Sequence, residues 1–186
     1  MAVTTYNLTD DLPRFCKFAD YFFLFSKGSM NYSDLSLDLL NNQVLEWDDC
    51  KKGYDSLKTV KVKDFVFDGF NIKVQFNLGR MTSTSAKVDP KSIKERKCFL
   101  CKNNLPKAQK GLNWKDNFVI LVNPFPIFPE HFTIPSEEHL PQQIISSFKN
   151  LNLLAYDLRE RYITFYNGPK CGASAPDHIH FQAGLK

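Results

Sequence analysis

The residues best placed to do chemistry lie near the end of the chain, at Asp177–His178–Ile179–His180–Phe181–Gln182. A strand turns alternate side chains to opposite faces. His178, His180 and Gln182 are therefore expected on one face, with Ile179 and Phe181 directed into a core. The preceding run, Tyr-Asn-Gly-Pro-Lys-Cys-Gly-Ala-Ser-Ala-Pro at 166–176, is a loop by composition. It follows a strand pattern at Tyr162–Tyr166. A loop held between two strands can aim backbone N–H groups at an anion. A neutral imidazole beside it can attack phosphorus, and at its ordinary pKa of about 6.5 the ring is largely neutral near pH 7.

The five cysteines, Cys16, Cys50, Cys98, Cys101 and Cys171, are odd in number and include one close pair, which argues against a disulfide framework. The pair Cys98–Phe99–Leu100–Cys101 reads as a zinc knuckle, a redox pair or chance. The redox reading wants the motif at the head of a helix in a thioredoxin-like pattern, and Lys102–Asn103–Asn104–Leu105–Pro106 does not supply one. His178 and His180, two residues apart on a strand, could instead share one open metal site of a hydrolase or isomerase.

The elements that must position these groups read as follows. Asp68–Gly69 between alternating apolar runs predicts a β-hairpin over 59–78. Residues 81–97 are a polar, basic flap in which Lys87 is a candidate phosphate contact. Strands are predicted at Phe118–Val122 and His131–Ile134, separated by a proline-rich linker. His131 is expected to pack in its strand with one ring nitrogen satisfied. Apolar residues at helical spacing from Leu140 to Leu158, with Pro141 in the first turn, predict a long covering helix over 140–160. An earlier helix is expected from a Ser33–Asp34 cap to about Leu57, with Trp47 in the core. The run Tyr21–Phe25 is expected to dock on the core or on a partner. The fold class is α+β with an antiparallel sheet, divided into an N-terminal helical extension (1–58) and a main domain (59–186).

A net charge of +4 suits an anionic small molecule, and no Lys/Arg run with interleaved aromatics marks a nucleic-acid binder. No apolar run approaches a membrane span, and the N-terminus does not read as a signal peptide. A cytoplasmic protein is the expectation.

The segment Asn167-Gly168, Gly172-Ala173-Ser174 and His178-x-His180-x-Gln182 resembles the signature of the histidine-triad (HIT) superfamily. The branch it resembles holds galactose-1-phosphate uridylyltransferase, diadenosine tetraphosphate phosphorylase and GDP-hexose phosphorylases, where glutamine replaces the third histidine of the hydrolases. One spacing departs: four residue steps separate Ser174 from His178, where most relatives have three. Two more elements resemble the superfamily, Cys98-x-x-Cys101 and the Ile134–Pro135 strand end followed by His139. Gln75–Phe76–Asn77–Leu78–Gly79–Arg80 is similar to the Gln-Leu-Asn-Glu-Gly-Arg element of GDP-hexose phosphorylases.

The resemblance implies a HIT-like sheet and a structural zinc on Cys98, Cys101, His139 and His178. It implies His180 as the nucleophile that takes up a nucleotidyl group and Gln182 as a holder of phosphoryl oxygens. Arg80, Asn167 and Ser174 become candidate substrate-binding residues. The implied activity is a nucleotidyltransferase or phosphorylase acting on a nucleotide sugar or dinucleoside polyphosphate, with phosphate as acceptor. The alternatives are a HIT-type nucleotide hydrolase and a non-catalytic, zinc-stabilised binding domain. The relatives of that branch continue much further beyond the motif, so completion of the site by a partner or in a homodimer is a further expectation.

Overall fold

The computed structural model describes residues 2–5, 31–80, 87–115 and 117–186. The apolar run at 21–25 and the first residues of the flap, 81–86, lie outside them. The chain forms two compact units: one from residues 1–30 and 60–77, the other from 31–59 and 78–186.

In the first unit, strands β1 (Ala2–Thr5), β2 (Lys61–Phe67) and β3 (Phe70–Phe76) form an antiparallel sheet in the order β1-β3-β2. β2 and β3 are the predicted hairpin. Their turn places Gly69 at φ +81°, a conformation that glycine adopts without steric cost.

The second unit opens with two helices rather than one. Helix α1 (Tyr32–Glu46) is capped by Asn31, whose side-chain oxygen accepts from the N–H groups of Ser33 and Asp34. Trp47 then takes an extended conformation that ends α1, and α2 (Asp48–Ser56) restarts behind it. Burying Trp47 in the core costs the helix its continuity. A 3-10 turn (Leu78–Arg80) and the short helix α3 (Pro90–Glu95) follow.

The sheet of this unit contains β4 (Gly111–Trp114), β5 (Phe118–Val122), β6 (His131–Pro135), β7 (Tyr162–Phe165) and β8 (His180–Leu185). It is antiparallel in the order β4-β5-β6-β8-β7. The fold is thus the α+β one expected, with the His-x-His-x-Gln segment leading into an inner strand and an additional edge strand, β4.

The register divides the sheet into two unlike faces. Phe181, Ala183, Phe132, Ile134, Val122 and Ile120 lie on one face and are fully buried. They form the core with Leu40, Trp47 and Cys50 of α1 and α2, and with Leu154 of helix α4 (Phe148–Asp157). The opposite face carries His180 and Gln182 on β8, Pro135 and Thr133 facing them on β6, Leu121 and Val119 on β5, and Gly111 and Asn113 on β4.

Two sequence expectations are corrected here. The covering helix is shorter than 140–160, because Leu140 and Gln142 each give a backbone group to the site loop. Ile179 N–H donates to Leu140 O at 2.6 Å, and Gln142 N–H to Pro176 O at 3.3 Å. Pro141 accordingly lies outside any helix. The last strand begins at His180, so His178 sits in its lead-in, where Ser136 N–H donates to Ile179 O at 3.0 Å.

Candidate functional site

Cys98 and Cys101 lie on a tight turn after α3. Cys101 N–H donates to Cys98 O at 3.4 Å, and the Asn104 amide donates to the same carbonyl at 2.8 Å. His139 follows β6 and His178 precedes β8. These four residues, separated by up to 80 positions in sequence, converge: one donor atom from each lies within 4.8 Å of all the others. His178 Nδ1 is 3.3 Å from Cys98 Sγ and 3.6 Å from Cys101 Sγ, and His139 Nδ1 is 3.2 Å from Cys101 Sγ.

The donor set fits a metal ion. Two thiols and two imidazoles make a common tetrahedral shell. The His178 ring is turned for the purpose, since its Nε2–H donates to Ser136 O at 2.8 Å and leaves Nδ1 toward the sulfurs. Burial would raise the Cys98 pKa, but the His178 imidazole and the N–H groups of Leu100 and Cys101 bring it down to about 6, toward the thiolate that a metal takes. Beside the cluster, Asp177 pairs with Arg96 and lies 3.8 Å from His139 Nε2. The group includes His178 and not His180.

His180 is 5% exposed. Its Nδ1 lies 2.8 Å from the carbonyl of His178. A carbonyl only accepts, so Nδ1 carries the ring proton and Nε2 keeps its lone pair. That Nε2 has no hydrogen-bond partner among the described residues. Burial holds the ring below the ordinary imidazole pKa, against the carbonyl's opposite pull.

The His180 backbone is held by a residue that the sequence did not single out. Gln142, 1% exposed, accepts from His180 N–H at 2.7 Å through its Oε1. Its Nε2 donates to His180 O at 3.1 Å and to Asn167 O at 2.9 Å. Tyr166 OH donates to Gln142 O at 2.9 Å. One buried amide thus ties the His180 backbone to the loop of Asn167. A lone glutamine in a region of helical spacing gives no pattern that would mark it; only its place after Pro141, where a helix was expected, hid it.

Gln182 lies on the His180 face, and its Oε1 is 2.9 Å from His131 Nε2. Both His131 ring nitrogens are engaged, since Ile127 N–H reaches Nδ1 at 3.3 Å, which corrects the single satisfied nitrogen expected. Arg80, half-buried, stands close enough to His131 for its charge to act on the ring. Asn167 is tied to the site through its carbonyl. Ser174 lies between Ala173 and Ala175, both buried, and makes no hydrogen bond among the described residues.

A cavity of about 300 Å³ opens on the same sheet face. Its floor is Gly111, Asn113, Val119, Leu121 and Pro135, and the loop of Lys102 and Lys107 forms a wall. Pro135 is the register partner of His180. The hollow therefore begins one strand away from the unpartnered imidazole nitrogen, although His180 is not part of its wall.

Residues 39–185 match the model of a family described as a domain of unknown function, DUF4922. The chain belongs to the DUF4922 family. No curated protein sequence matches this DUF4922 chain. Among solved structures it is similar to a yeast Ap4A phosphorylase in complex with AMP, at 21% identity and a TM-score of 0.45, over 80% of this chain and 49% of that one. It is also similar to a HIT family hydrolase from Clostridium thermocellum, at 22% identity and a TM-score of 0.33, over 46% of this chain and 84% of the hydrolase. The DUF4922 chain spans about half the length of the yeast phosphorylase.

Proposed function

We propose that this protein is a nucleotidyltransferase of the phosphorylase type, working through a nucleotide bound covalently to His180. The observation that carries the reading is the state of that ring. Its proton is committed to the His178 carbonyl, its lone pair is unpartnered, and it shares a sheet face with a hollow that begins one strand away, at Pro135.

The chemistry follows from these placements. Nε2 attacks the α-phosphorus of a nucleotide sugar or dinucleoside polyphosphate. A P–N bond forms, the bridging P–O bond breaks, and the distal half departs as a sugar phosphate from a nucleotide sugar or as a nucleoside polyphosphate from a dinucleoside polyphosphate. The positive charge that develops on the ring lies against the His178 carbonyl through Nδ1–H. Inorganic phosphate then attacks the same phosphorus. The P–N bond breaks, a nucleoside diphosphate leaves, and neutral His180 is restored.

Gln182 offers amide hydrogens to the phosphoryl oxygens as their charge shifts. It cannot protonate a leaving group as a third histidine could. Phosphates leave without that help, which favours transfer over hydrolysis. Arg80 supplies a cation on the Gln182 side, and Asn167 and the backbone around Ser174 lie on the loop that Gln142 ties to His180.

The metal proposed for Cys98, Cys101, His139 and His178 is zinc. Four protein donors fill its shell, so it supplies a structural tether rather than a reactive ligand. It would join the turn after α3, the segment after β6 and the lead-in to His180.

The test is incubation with a panel of dinucleoside polyphosphates and nucleotide sugars, with and without inorganic phosphate. Phosphate-dependent cleavage to a nucleoside diphosphate is expected. Cleavage independent of phosphate would favour the hydrolase reading, and no turnover of any member would favour a binding domain.

A further inference from the structure

We infer that His131 is a positioning residue that fixes the direction of the Gln182 amide, so that its NH2 group and not its oxygen meets the transferred phosphoryl group.

A backbone N–H can only donate, so Ile127 N–H at 3.3 Å makes His131 Nδ1 the acceptor. A neutral ring then carries its one proton on Nε2. That atom is 2.9 Å from Gln182 Oε1, and the N–H donates to it. With its carbonyl committed, Gln182 keeps its two amide hydrogens for the sheet face that it shares with His180. The Gln182 Nε2 has no protein partner among the described residues, so both hydrogens remain for a ligand. A flipped amide would set an oxygen lone pair against a phosphoryl oxygen.

The ring is built to hold one state. It is 1% exposed, edge-on to Phe128 with centroids 5.5 Å apart and stacked on Phe165 at 6.1 Å. The Phe128 ring also covers Gly184, the register partner of His131, where any Cβ would collide with it. The His131 backbone is pinned from the other side, its carbonyl accepting from Tyr54 OH at 3.1 Å and its N–H donating to the same oxygen at 3.2 Å. Burial, with Arg80 nearby, opposes a second proton on the ring and holds its pKa near 4 despite the Gln182 contact. The polar face of β6 and β8 thus contains a relay, Ile127 N–H to His131 to Gln182, that sets which atom the amide shows.

The consequence for transfer rests on the nucleotidyltransferase reading; the placement of the proton does not. The experiment therefore has two arms. In the first, nitrogen-15 NMR of the histidine rings at pH 6 to 7 reads the tautomer, which is expected to be neutral with the proton on His131 Nε2. A proton on Nδ1 or a charged ring would overturn the inference whatever the protein catalyses.

In the second arm, the rate of covalent labelling at His180 is compared between wild type, His131→Leu and His131→Gln, with folding checked by thermal unfolding. Leucine removes the donor, while a glutamine amide reaches the place of Nε2 and restores it. We expect His131→Leu to label about tenfold to a hundredfold more slowly, the scale of losing one oriented donor, with nucleotide affinity nearly unchanged. His131→Gln should recover most of the loss. Labelling by folded His131→Leu at the wild-type rate would overturn the inference, as would equal losses in the two variants. Absence of labelling in wild type would remove the transfer reading instead and leave the tautomer arm to decide the relay.

Discussion

Three polar side chains, His178 in the lead-in to β8 and His180 and Gln182 on one face of it, differ in what their atoms are already bonded to. His178 gives Nε2–H to Ser136 O and turns Nδ1 to the thiols; His180 gives Nδ1–H to His178 O and keeps Nε2 open. Gln182 gives its oxygen to His131 and keeps its nitrogen open. Their spacing was legible in the sequence because alternation on an extended segment needs only the residue order. His131 and Gln142 were not, because a hydrogen bond across 51 or 38 positions leaves no local pattern. Each residue carries a prediction. For His131, the folded pKa of about 4 lies below the unfolded value of about 6.5, so the unfolded chain binds the extra proton between those limits. Its contribution is complete above pH 6.5 and is lost as pH falls toward 4. Denaturant unfolding from pH 7 to 4 should show wild type losing roughly 3 kcal/mol more than His131→Gln. For Gln142, leucine would leave the His180 N–H and the Asn167 carbonyl buried without partners. Gln142→Leu should lose about 2–4 kcal/mol of stability in the same assay.

At the scale of elements, the hairpin, strands β5 to β8 and the core role of Trp47 followed from alternation and apolar spacing. The errors occurred where tertiary bonds took backbone groups away from a helix. Leu140–Ile144 have helical spacing, yet the Leu140 carbonyl pairs with Ile179 N–H and the Gln142 N–H with Pro176 O. This also ties the segment after His139 to the lead-in of β8, so the candidate metal ligands and His180 share one stretch of backbone. Chelation, or Cys101→Ser, should therefore lower the melting temperature by roughly 10 °C or more, since a structural zinc contributes several kcal/mol to folding. His180→Ala should retain the full metal content by elemental analysis, because His180 is outside the donor group. Loss of metal in that variant would mean that both histidines ligate a shared ion.

At the scale of the whole molecule, the α+β class was legible. The edge strand β4 was not: its four residues, Gly111–Trp114, are too short to show a period, and it supplies part of the cavity floor. Among the described residues no helix is long and apolar enough to cross a membrane. One face of the sheet is given to the core, and the opposite face carries His180 and Gln182 with a hollow that begins one strand away. The most direct test is to quench the protein with acid-free denaturant after mixing with a dinucleoside polyphosphate or nucleotide sugar labelled in the α-phosphate, then locate the label by peptide mass spectrometry. The account predicts one nucleotidyl group per chain, linked to His180 through nitrogen, released by inorganic phosphate in the native protein, and missing from folded, metal-loaded His180→Ala. A label on another residue, or cleavage by wild type that proceeds without any covalent nucleotide, would contradict it.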